Sequence, residues 1–226
     1  IGIVLPTFEE YPNRISKDMI VPFIPKNNNY SYTSNDLISF YSDKVISTLL
    51  LINPDNPSGN YIHKGDMIKL AEWASKKGIR FVVDESFVDF AETDELETLL
   101  TEEILGSYSK MIVIKSISKS YGVPGLRLGI LASYDKELIS YIKKDVAIWN
   151  INSFAEFYLQ IFEKYKNDYL EAIAKFKAVR CDYFLALQSI NNLRVIPSHA
   201  NFILCEILGG TKATDLTKTL LDKHNI

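Results

Sequence analysis

The residues with the clearest chemical potential are a lysine and an arginine in one short, hydroxyl-rich and glycine-rich segment. Lys119 follows Ser116 and Ser118, and Arg127 comes after the loop sequence Tyr-Gly-Val-Pro-Gly-Leu. A lysine amine can attack an aldehyde when it is neutral, which requires burial or a nearby cation such as Arg127. The guanidinium fork and the serine hydroxyls can bind a phosphate. The segment therefore predicts a site for a phosphorylated aldehyde, although a solvated lysine followed by an ordinary turn is the alternative.

Two other polar residues follow apolar runs of buried-strand length. Asn56 lies in the turn sequence 53–59, after the run 45–52, and Asp84 follows the run 79–83. A carboxylate beside a pyridinium nitrogen keeps that nitrogen protonated, so that the ring can accept electrons from a carbanion. Asn56 could donate a hydrogen bond to a phenolic ring oxygen. Together with Lys119, these residues meet the requirements of pyridoxal 5'-phosphate, although Asp84 as a cap and Asn56 as a turn residue remain open alternatives.

Three motifs, in this order, resemble the class I/II aminotransferases, which are fold-type-I pyridoxal-phosphate enzymes. They are Asn-Pro-Asp-Asn-Pro-Ser-Gly at 53–59, Val-Val-Asp-Glu-Ser-Phe at 82–87, and Ser-Ile-Ser-Lys at 116–119 with its downstream arginine. The resemblance implies that Lys119 forms the Schiff base and that Asp84 pairs with the ring nitrogen. It further implies cofactor contacts from Phe8 against the ring, Asn56 on the ring oxygen, and Ser116, Ser118 and Arg127 on the phosphate.

Within this family the sequence is most similar to histidinol-phosphate aminotransferase and threonine-phosphate decarboxylase. Many members have tyrosine where this chain has Phe87, and that hydroxyl donates to the same ring oxygen as the asparagine. Losing one such hydrogen bond costs ~1.5–3 kcal/mol, which is not enough to prevent catalysis. The phenylalanine at this position favours the resemblance to the decarboxylase. The expected activity is transfer of an amino group from a small amino acid or amino-acid phosphate to a 2-oxo acid. The alternatives are decarboxylation of an amino-acid phosphate and a non-catalytic sensor that binds the cofactor.

Other site chemistries have little support in the sequence. Ser-Ile-Ser-Lys also fits the Ser-x-x-Lys pattern of penicillin-binding proteins, but no Ser-Asp-Asn or Lys-Thr-Gly follows it. His63, His199 and His224 lack the spacing of metal ligands. Glu85 adjoins Asp84, yet neighbours on an extended segment point to opposite sides, so the two carboxylates should not share a proton.

Strand and helix patterns alternate along most of the chain, which predicts an α/β fold with a mostly parallel sheet between helices. Strands are expected at 1–5, 20–24, 45–52, 79–83, 111–115 and 128–132, and helices at 66–77, 136–145 and 153–164. A long helix over 168–189, strands at 193–197 and 200–205, and a helix over 211–223 indicate part of a small α+β domain. We therefore predict a large cofactor-binding domain at 1–165 and a small C-terminal domain at 166–226.

Composition narrows the possible partners. With 226 residues and 47% hydrophobic residues the chain can fill a sizeable core, and its net charge of −3 argues against a nucleic-acid partner. Its apolar runs are shorter than the ~20 residues that span a membrane. Cys181 and Cys205 fit reduced thiols in a cytoplasmic protein, and no metal is expected.

The resemblance also concerns regions outside this sequence. The chain starts within a strand-like run and stops at a helix, so it reads as an excerpt of a longer protein. The family's glycine-rich phosphate loop and its carboxylate-binding arginine would lie in the absent regions. The resemblance implies a homodimer with small-molecule amino-acid and 2-oxo-acid substrates.

Overall fold

The computed structural model describes residues 1–226 and contains a six-stranded sheet and a two-stranded sheet. The strands are β1 Gly2–Val4, β2 Val21–Phe23, β3 Thr48–Ile52, β4 Arg80–Asp84, β5 Met111–Ser116, β6 Gly129–Ser133, β7 Leu193–Val195 and β8 Cys205–Ile207. The large sheet has the order β2-β1-β3-β4-β5-β6, and only β6 is antiparallel to its neighbour. The predicted mostly parallel α/β sheet is therefore confirmed.

Helices connect the strands and cover the sheet. They are α1 Glu10–Asn13, α2 Ser34–Tyr41, α3 Lys64–Lys76, α4 Glu102–Ser107, α5 Ile117–Ser120, α6 Lys136–Lys143, α7 Ser153–Phe162, α8 Lys166–Gln188 and α9 Ala213–His224. Four short 3-10 turns lie at Lys17–Met19, Val88–Phe90, Pro124–Leu126 and Glu163–Tyr165. No helix has both the length and the apolar character that crossing a bilayer demands.

The core lies on both faces of the large sheet. Alternate residues of β3 belong to different clusters: Leu49 and Leu51 pack in the cluster formed with α2 and α3. Leu50 and Ile52 pack in the cluster that includes Phe90 and partly buried residues of α8. A parallel strand covered on both faces needs apolar residues at every position, which explains the unbroken apolar run that the sequence shows here.

The register of the parallel strands brings their polar ends to one edge. Ile52 pairs with Asp84, and Asp84 pairs with Ile114, so β3, β4 and β5 end at nearly the same level. The turn after β3, the end of β4 and the lysine segment after β5 consequently meet at the carboxyl edge. Open α/β sheets bind ligands at this edge.

The structure differs from the predicted elements in several places, including the unpredicted helices α1 and α4. A strand was expected at 200–205, but β8 occupies Cys205–Ile207. The apolar residues before it pack against the large sheet instead, with Phe202 edge-on to Phe87 at a centroid distance of 5.2 Å. Helix α2 was not predicted, although Thr33 and Asp36 form a capping box at its start.

In the C-terminal part of the chain, β7 and β8 form a separate antiparallel pair. Helix α8 begins at Lys166 and contacts the large sheet region, because Phe176 packs against Phe90 with ring centroids 4.9 Å apart. The division of the chain at residue 166 stays a prediction.

Candidate active site

A cavity of about 270 Å³ lies at the carboxyl edge of the large sheet. Its walls are formed by Phe8, Ile52, Asn56, Asp84, Ser86, Phe87, Ser116, Ser118, Lys119, Pro124 and Arg127. Every residue that the sequence analysis assigned to the cofactor is in this set, including members far apart in the chain. A larger cavity of about 360 Å³ beside α8 contains none of them. The roles of the individual residues remain predictions, but their convergence is a property of the fold.

Asp84 ends β4 and is held by hydrogen bonds to both of its carboxylate oxygens. Tyr11 donates its hydroxyl to Oδ2 at 2.6 Å. Ser86 donates its backbone N–H to Oδ1 at 2.9 Å and its hydroxyl to the same oxygen at 2.5 Å. The carboxylate is half-buried and lines the cavity, so it combines a local turn contact with access to the candidate site. The sequence analysis assigned no role to Tyr11 or Ser86, although Tyr11 lies in the same short segment as Phe8.

Burial, together with the charge of Asp84, raises the pKa of the Tyr11 hydroxyl well above its usual range. Tyr11 therefore remains a neutral hydrogen-bond donor at every pH at which the protein would work. A neutral donor stabilises a carboxylate without cancelling its charge. The contact thus leaves Asp84 as a hydrogen-bond acceptor for a pyridinium partner.

Ser86 also connects β4 to the lysine segment. The backbone N–H of Ser116 donates to Ser86 Oγ at 2.9 Å, while Ser86 Oγ donates to Asp84. Helix α5 begins directly after Ser116 and carries Lys119 in its only turn. The acid and the lysine are therefore positioned through one shared serine.

Lys119 is exposed and has no carboxylate ion-pair partner, whereas Ser118 beside it is buried. Its Nζ atom lies 5.7 Å from the centroid of the Phe87 ring. The sequence predicts that burial or a nearby cation favours the neutral amine of this lysine. The protein by itself does not bury the Lys119 side chain. A ligand that fills the cavity would supply part of that burial.

Arg127 has a left-handed backbone conformation, with φ of 57°, and donates from Nη1 to the carbonyl of Pro124 at 3.1 Å. Asn152 holds the same loop, since its Nδ2 donates to the Leu126 carbonyl at 3.1 Å. The Asn152 side chain also accepts from Ala155 N at 2.9 Å and thereby caps the start of α7. The exposed guanidinium keeps further donors free for an anion.

The turn that carries Asn56 is supported by buried polar neighbours. Asn53 donates to the Ile62 carbonyl and accepts from the Ile62 N–H, both at 2.9 Å. Asp55 accepts from Ser58 Oγ at 2.5 Å and from the Tyr32 hydroxyl at 3.2 Å. Burial raises the pKa of Asp55 to about 6. These contacts present the half-buried Asn56 to the cavity.

Glu85 points away from the site, as predicted. Its carboxylate accepts from the Thr98 hydroxyl and from the Leu99 N–H, both at 2.6 Å. Burial raises the pKa of Glu85. The adjacent acids therefore occupy separate environments and form no proton-sharing pair.

The cavity walls fit pyridoxal phosphate in chemical type. They combine a carboxylate for a ring nitrogen, an amine for an aldehyde, an aromatic ring, and a guanidinium with hydroxyls for a phosphate. A mostly parallel sheet with this site at its carboxyl edge defines a fold-type-I pyridoxal-phosphate protein. The sequence matches the family "Aminotransferase class I and II" over residues 2–226, and the chain belongs to this family. Membership implies pyridoxal phosphate as the cofactor.

Individual relatives include both decarboxylases and aminotransferases. An L-serine phosphate decarboxylase from Sulfurospirillum multivorans is 33% identical over 100% of this chain and 58% of its own length. The structure of a decarboxylase from the same organism has a TM-score of 0.88 at 32% identity, covering 100% of this chain and 64% of that one. Histidinol-phosphate aminotransferase from Clostridium acetobutylicum has a TM-score of 0.83 at 27% identity, covering 98% and 65%. The chain thus spans about 58% of the length of its serine phosphate decarboxylase relative.

Proposed function

We propose that the protein is a pyridoxal-phosphate-dependent decarboxylase of a phosphorylated amino acid, with O-phospho-L-serine as its substrate. The observation that carries this proposal is the 33% identity to an L-serine phosphate decarboxylase along the whole chain. The sequence alone favours transamination, with decarboxylation as the alternative, and the relatives support that alternative better. Phe87 also favours decarboxylation, because it lacks the hydroxyl that many members of the resembled family have at this position.

Asp84, Phe8 and Asn56 would hold the ring of the cofactor. Asp84 lies at the end of β4, and Tyr11 and Ser86 hold its carboxylate in place. The carboxylate can therefore accept a hydrogen bond from a protonated ring nitrogen. Phe8 is 48% exposed at the cavity, which leaves its ring face available for packing. Asn56 would donate its side-chain amide to the ring oxygen.

Ser116, Ser118 and Arg127 would bind the cofactor phosphate. Their donors surround the cavity beside Lys119, where a negative charge would also offset the local positive charge of the lysine and the arginine. A bound phosphate would order the exposed guanidinium, which otherwise contacts only the Pro124 carbonyl.

Lys119 would anchor the cofactor and then move a proton. When bound, pyridoxal phosphate supplies an aldehyde that the substrate amine can engage and a ring that accepts an electron pair. Loss of carbon dioxide breaks the bond between Cα and the carboxylate of the substrate. The electron pair of that bond stays behind and must then be neutralised by a proton at Cα. The freed Nζ of Lys119 would deliver one proton to Cα, giving O-phosphoethanolamine. The net reaction consumes one proton and releases one carbon dioxide.

Transamination is the second candidate, supported by the likeness to histidinol-phosphate aminotransferase. The same residues would serve it, because the reaction type depends on which substrate bond is broken. In that reaction Lys119 would remove the Cα proton instead of supplying it. We also propose, on family resemblance, that the protein works as a homodimer in the cytoplasm.

The test uses the full-length protein loaded with pyridoxal phosphate. Incubation with O-phospho-L-serine should release carbon dioxide and O-phosphoethanolamine in equal amounts. Lys119→Ala should lower the rate by at least about 100-fold, whereas Lys110→Ala, at an exposed lysine outside the cavity, should leave it unchanged. Formation of glutamate from 2-oxoglutarate without carbon dioxide would support the aminotransferase instead.

Borohydride reduction followed by peptide mapping tests the site apart from the activity. We expect a pyridoxyl group on Lys119 and none on Lys110. A folded protein in which Lys119 stays unmodified would show that the assigned cofactor site is wrong, whatever reaction the protein catalyses.

A further inference from the structure

The carboxylate of Asp84 has almost all of its hydrogen-bonding capacity occupied by the protein. A carboxylate offers about four acceptor positions, two on each oxygen. Ser86 fills both positions on Oδ1 with its N–H and its hydroxyl, and Tyr11 fills one position on Oδ2. One position therefore remains, on the same oxygen to which Tyr11 donates.

The two donors come from different parts of the chain and hold different oxygens. Tyr11 lies in α1, and Ser86 follows β4. Because each oxygen is held from its own side, the carboxylate cannot rotate about its bond to Cβ without losing a hydrogen bond. The direction of the remaining acceptor position is consequently fixed, on a residue that lines the cavity.

We propose that Tyr11 is a positioning residue that sets the proton affinity of Asp84 toward the ring nitrogen of the cofactor. This inference rests on the pyridoxal-phosphate site proposed above. The Tyr11 hydroxyl and the ring N–H would share Oδ2. A donor on that oxygen draws electron density from it and makes it a weaker base, so the proton stays on the ring nitrogen.

The surroundings of Tyr11 favour this role over simple packing. The residue is partly buried and packs against the apolar cluster that contains Ile3, Leu50 and Ile52, and its hydroxyl donates to Asp84. Its ring also meets Phe8 edge-on, with centroids 6.1 Å apart. Tyr11 thus contacts both the residue expected against the ring face and the acid expected at the ring nitrogen.

The experiment uses the full-length protein reconstituted with pyridoxal phosphate carrying 15N in its ring. The 15N chemical shift reports directly whether the ring nitrogen is protonated, independently of turnover. In Tyr11→Phe, we expect the resonance to move toward the value of neutral pyridine, because Asp84 becomes a stronger base. We also expect the dissociation constant of the cofactor to rise by roughly 10-fold, the effect of losing one hydrogen bond to a charged group.

Tyr41→Phe is the matched control. Tyr41 is a buried tyrosine whose hydroxyl donates to the carbonyls of Ile3 at 3.1 Å and Val21 at 2.9 Å, away from the cavity. Its loss should lower the stability of the fold and leave the 15N resonance in place. A general loss of stability therefore cannot imitate the expected result.

A graded series of fluorinated tyrosines at position 11 provides a second measurement. A more acidic phenol donates a stronger hydrogen bond, so the resonance should move further toward protonated pyridine as the phenol becomes more acidic. If the resonance is the same in the wild type, Tyr11→Phe and the fluorinated proteins while cofactor stays bound, Tyr11 is only a packing residue. If no variant or wild-type protein binds the cofactor, it is the proposed function that fails.

Discussion

Phe87 places an aromatic ring without a hydroxyl in the wall of the candidate site. It is buried and lies within reach of both Phe202 and the Lys119 amine. Its neighbours Asp84 and Ser86 are polar and held by hydrogen bonds, so Phe87 is an apolar side chain directly beside the polar residues at the end of β4. This single side chain separates the protein from family members that have tyrosine there.

Phe87→Tyr should restore a donor to the phenolic oxygen of the cofactor. In the proposed site, a new donor to that oxygen would stabilise its negative charge and so would favour the form of the cofactor in which the linked nitrogen of Lys119 has lost its proton. We expect the pH midpoint of the cofactor's visible absorbance change to fall by about 1–2 units. The measurement is a spectrophotometric titration of the reconstituted protein.

Phe87→Leu is the control, because it changes the packing without adding a hydroxyl. Its midpoint should stay within a few tenths of a unit of the wild type. An unchanged midpoint in a folded, cofactor-bound Phe87→Tyr protein would mean that the hydroxyl does not reach the ring oxygen.

At the scale of elements, the turn after β3 is a rigid, buried structure and not an exposed loop. Its polar side chains are satisfied internally, and Gly59 accepts from the backbone N–H of His199 at 2.9 Å through its carbonyl. The turn therefore connects the large sheet to the segment between β7 and β8. Asn56 owes its position to both sets of contacts.

Asp55 gives this turn a pH dependence. Its folded pKa of about 6 lies above the usual value because burial disfavours its charge. A raised folded pKa means that the native state binds the proton of Asp55 more tightly than the unfolded state does. This proton therefore stabilises the fold fully below pH ~4, and the stabilisation is lost as pH rises through about 6. Between pH 4 and 6 this effect lowers the free energy of unfolding of the wild type by about 3 kcal/mol, and Asp55→Asn should abolish that decrease.

Urea unfolding at pH 4, 5, 6 and 7 measures the effect. The slope of unfolding free energy against pH should be shallower in Asp55→Asn than in the wild type. The exposed Asp43, whose pKa is lowered by its contact with Lys44, offers a control: Asp43→Asn should leave the slope over this range unchanged. Equal slopes in the Asp55→Asn and wild-type proteins would contradict the assignment.

Gly59 is required by its conformation and by its neighbour. Its φ is +75°, and a Cβ atom there would lie 2.2 Å from Ser198 Oγ and 2.7 Å from Ser198 Cα. Gly59→Ala should therefore destabilise the protein by about 1–3 kcal/mol. Gly65→Ala in α3 meets no atom within 4 Å and should be neutral or stabilise by up to about 1 kcal/mol. Thermal unfolding of the two variants makes the comparison, and similar melting temperatures would count against the strain argument.

At the scale of the whole molecule, a buried ion pair connects the sheet to helix α8. Lys115 of β5 contacts Asp89 at 2.7 Å, with side-chain exposures of 6% and 4%. The Tyr169 hydroxyl of α8 donates to the same carboxylate at 2.8 Å, and its ring stacks on Tyr121 with centroids 4.5 Å apart. The strand that delivers the lysine segment is thereby tied to the long helix.

Lys115→Met should leave Asp89 buried without its cation. Removing one partner of a buried pair costs about 3–5 kcal/mol, which equilibrium unfolding in urea would detect. Lys110→Met removes an exposed lysine that donates to the Gly78 carbonyl, and it should cost less than about 1 kcal/mol. If the two variants proved equally stable, Lys115 would not be a structural cation.

The sequence by itself determined the fold class and predicted seven of the residues that line the cavity, from Phe8 to Arg127. Apolar runs such as 45–52 and 79–83 predict buried parallel strands, and the polar residues that follow them must then meet at one sheet edge. This reasoning places Asn56, Asp84 and Lys119 together because it depends on local periodicity and on strand direction.

Only the tertiary structure decided the contacts that join distant segments. Tyr11 reaches Asp84 across 73 positions of the chain, Lys115 turns inward to Asp89, and the apolar stretch before β8 packs on the sheet instead of pairing as a strand. No local pattern encodes these partners, because each depends on how separate elements pack. The acid, the lysine and their spacing are thus readable from the sequence, whereas the donor that orients the acid emerges only when the chain is folded.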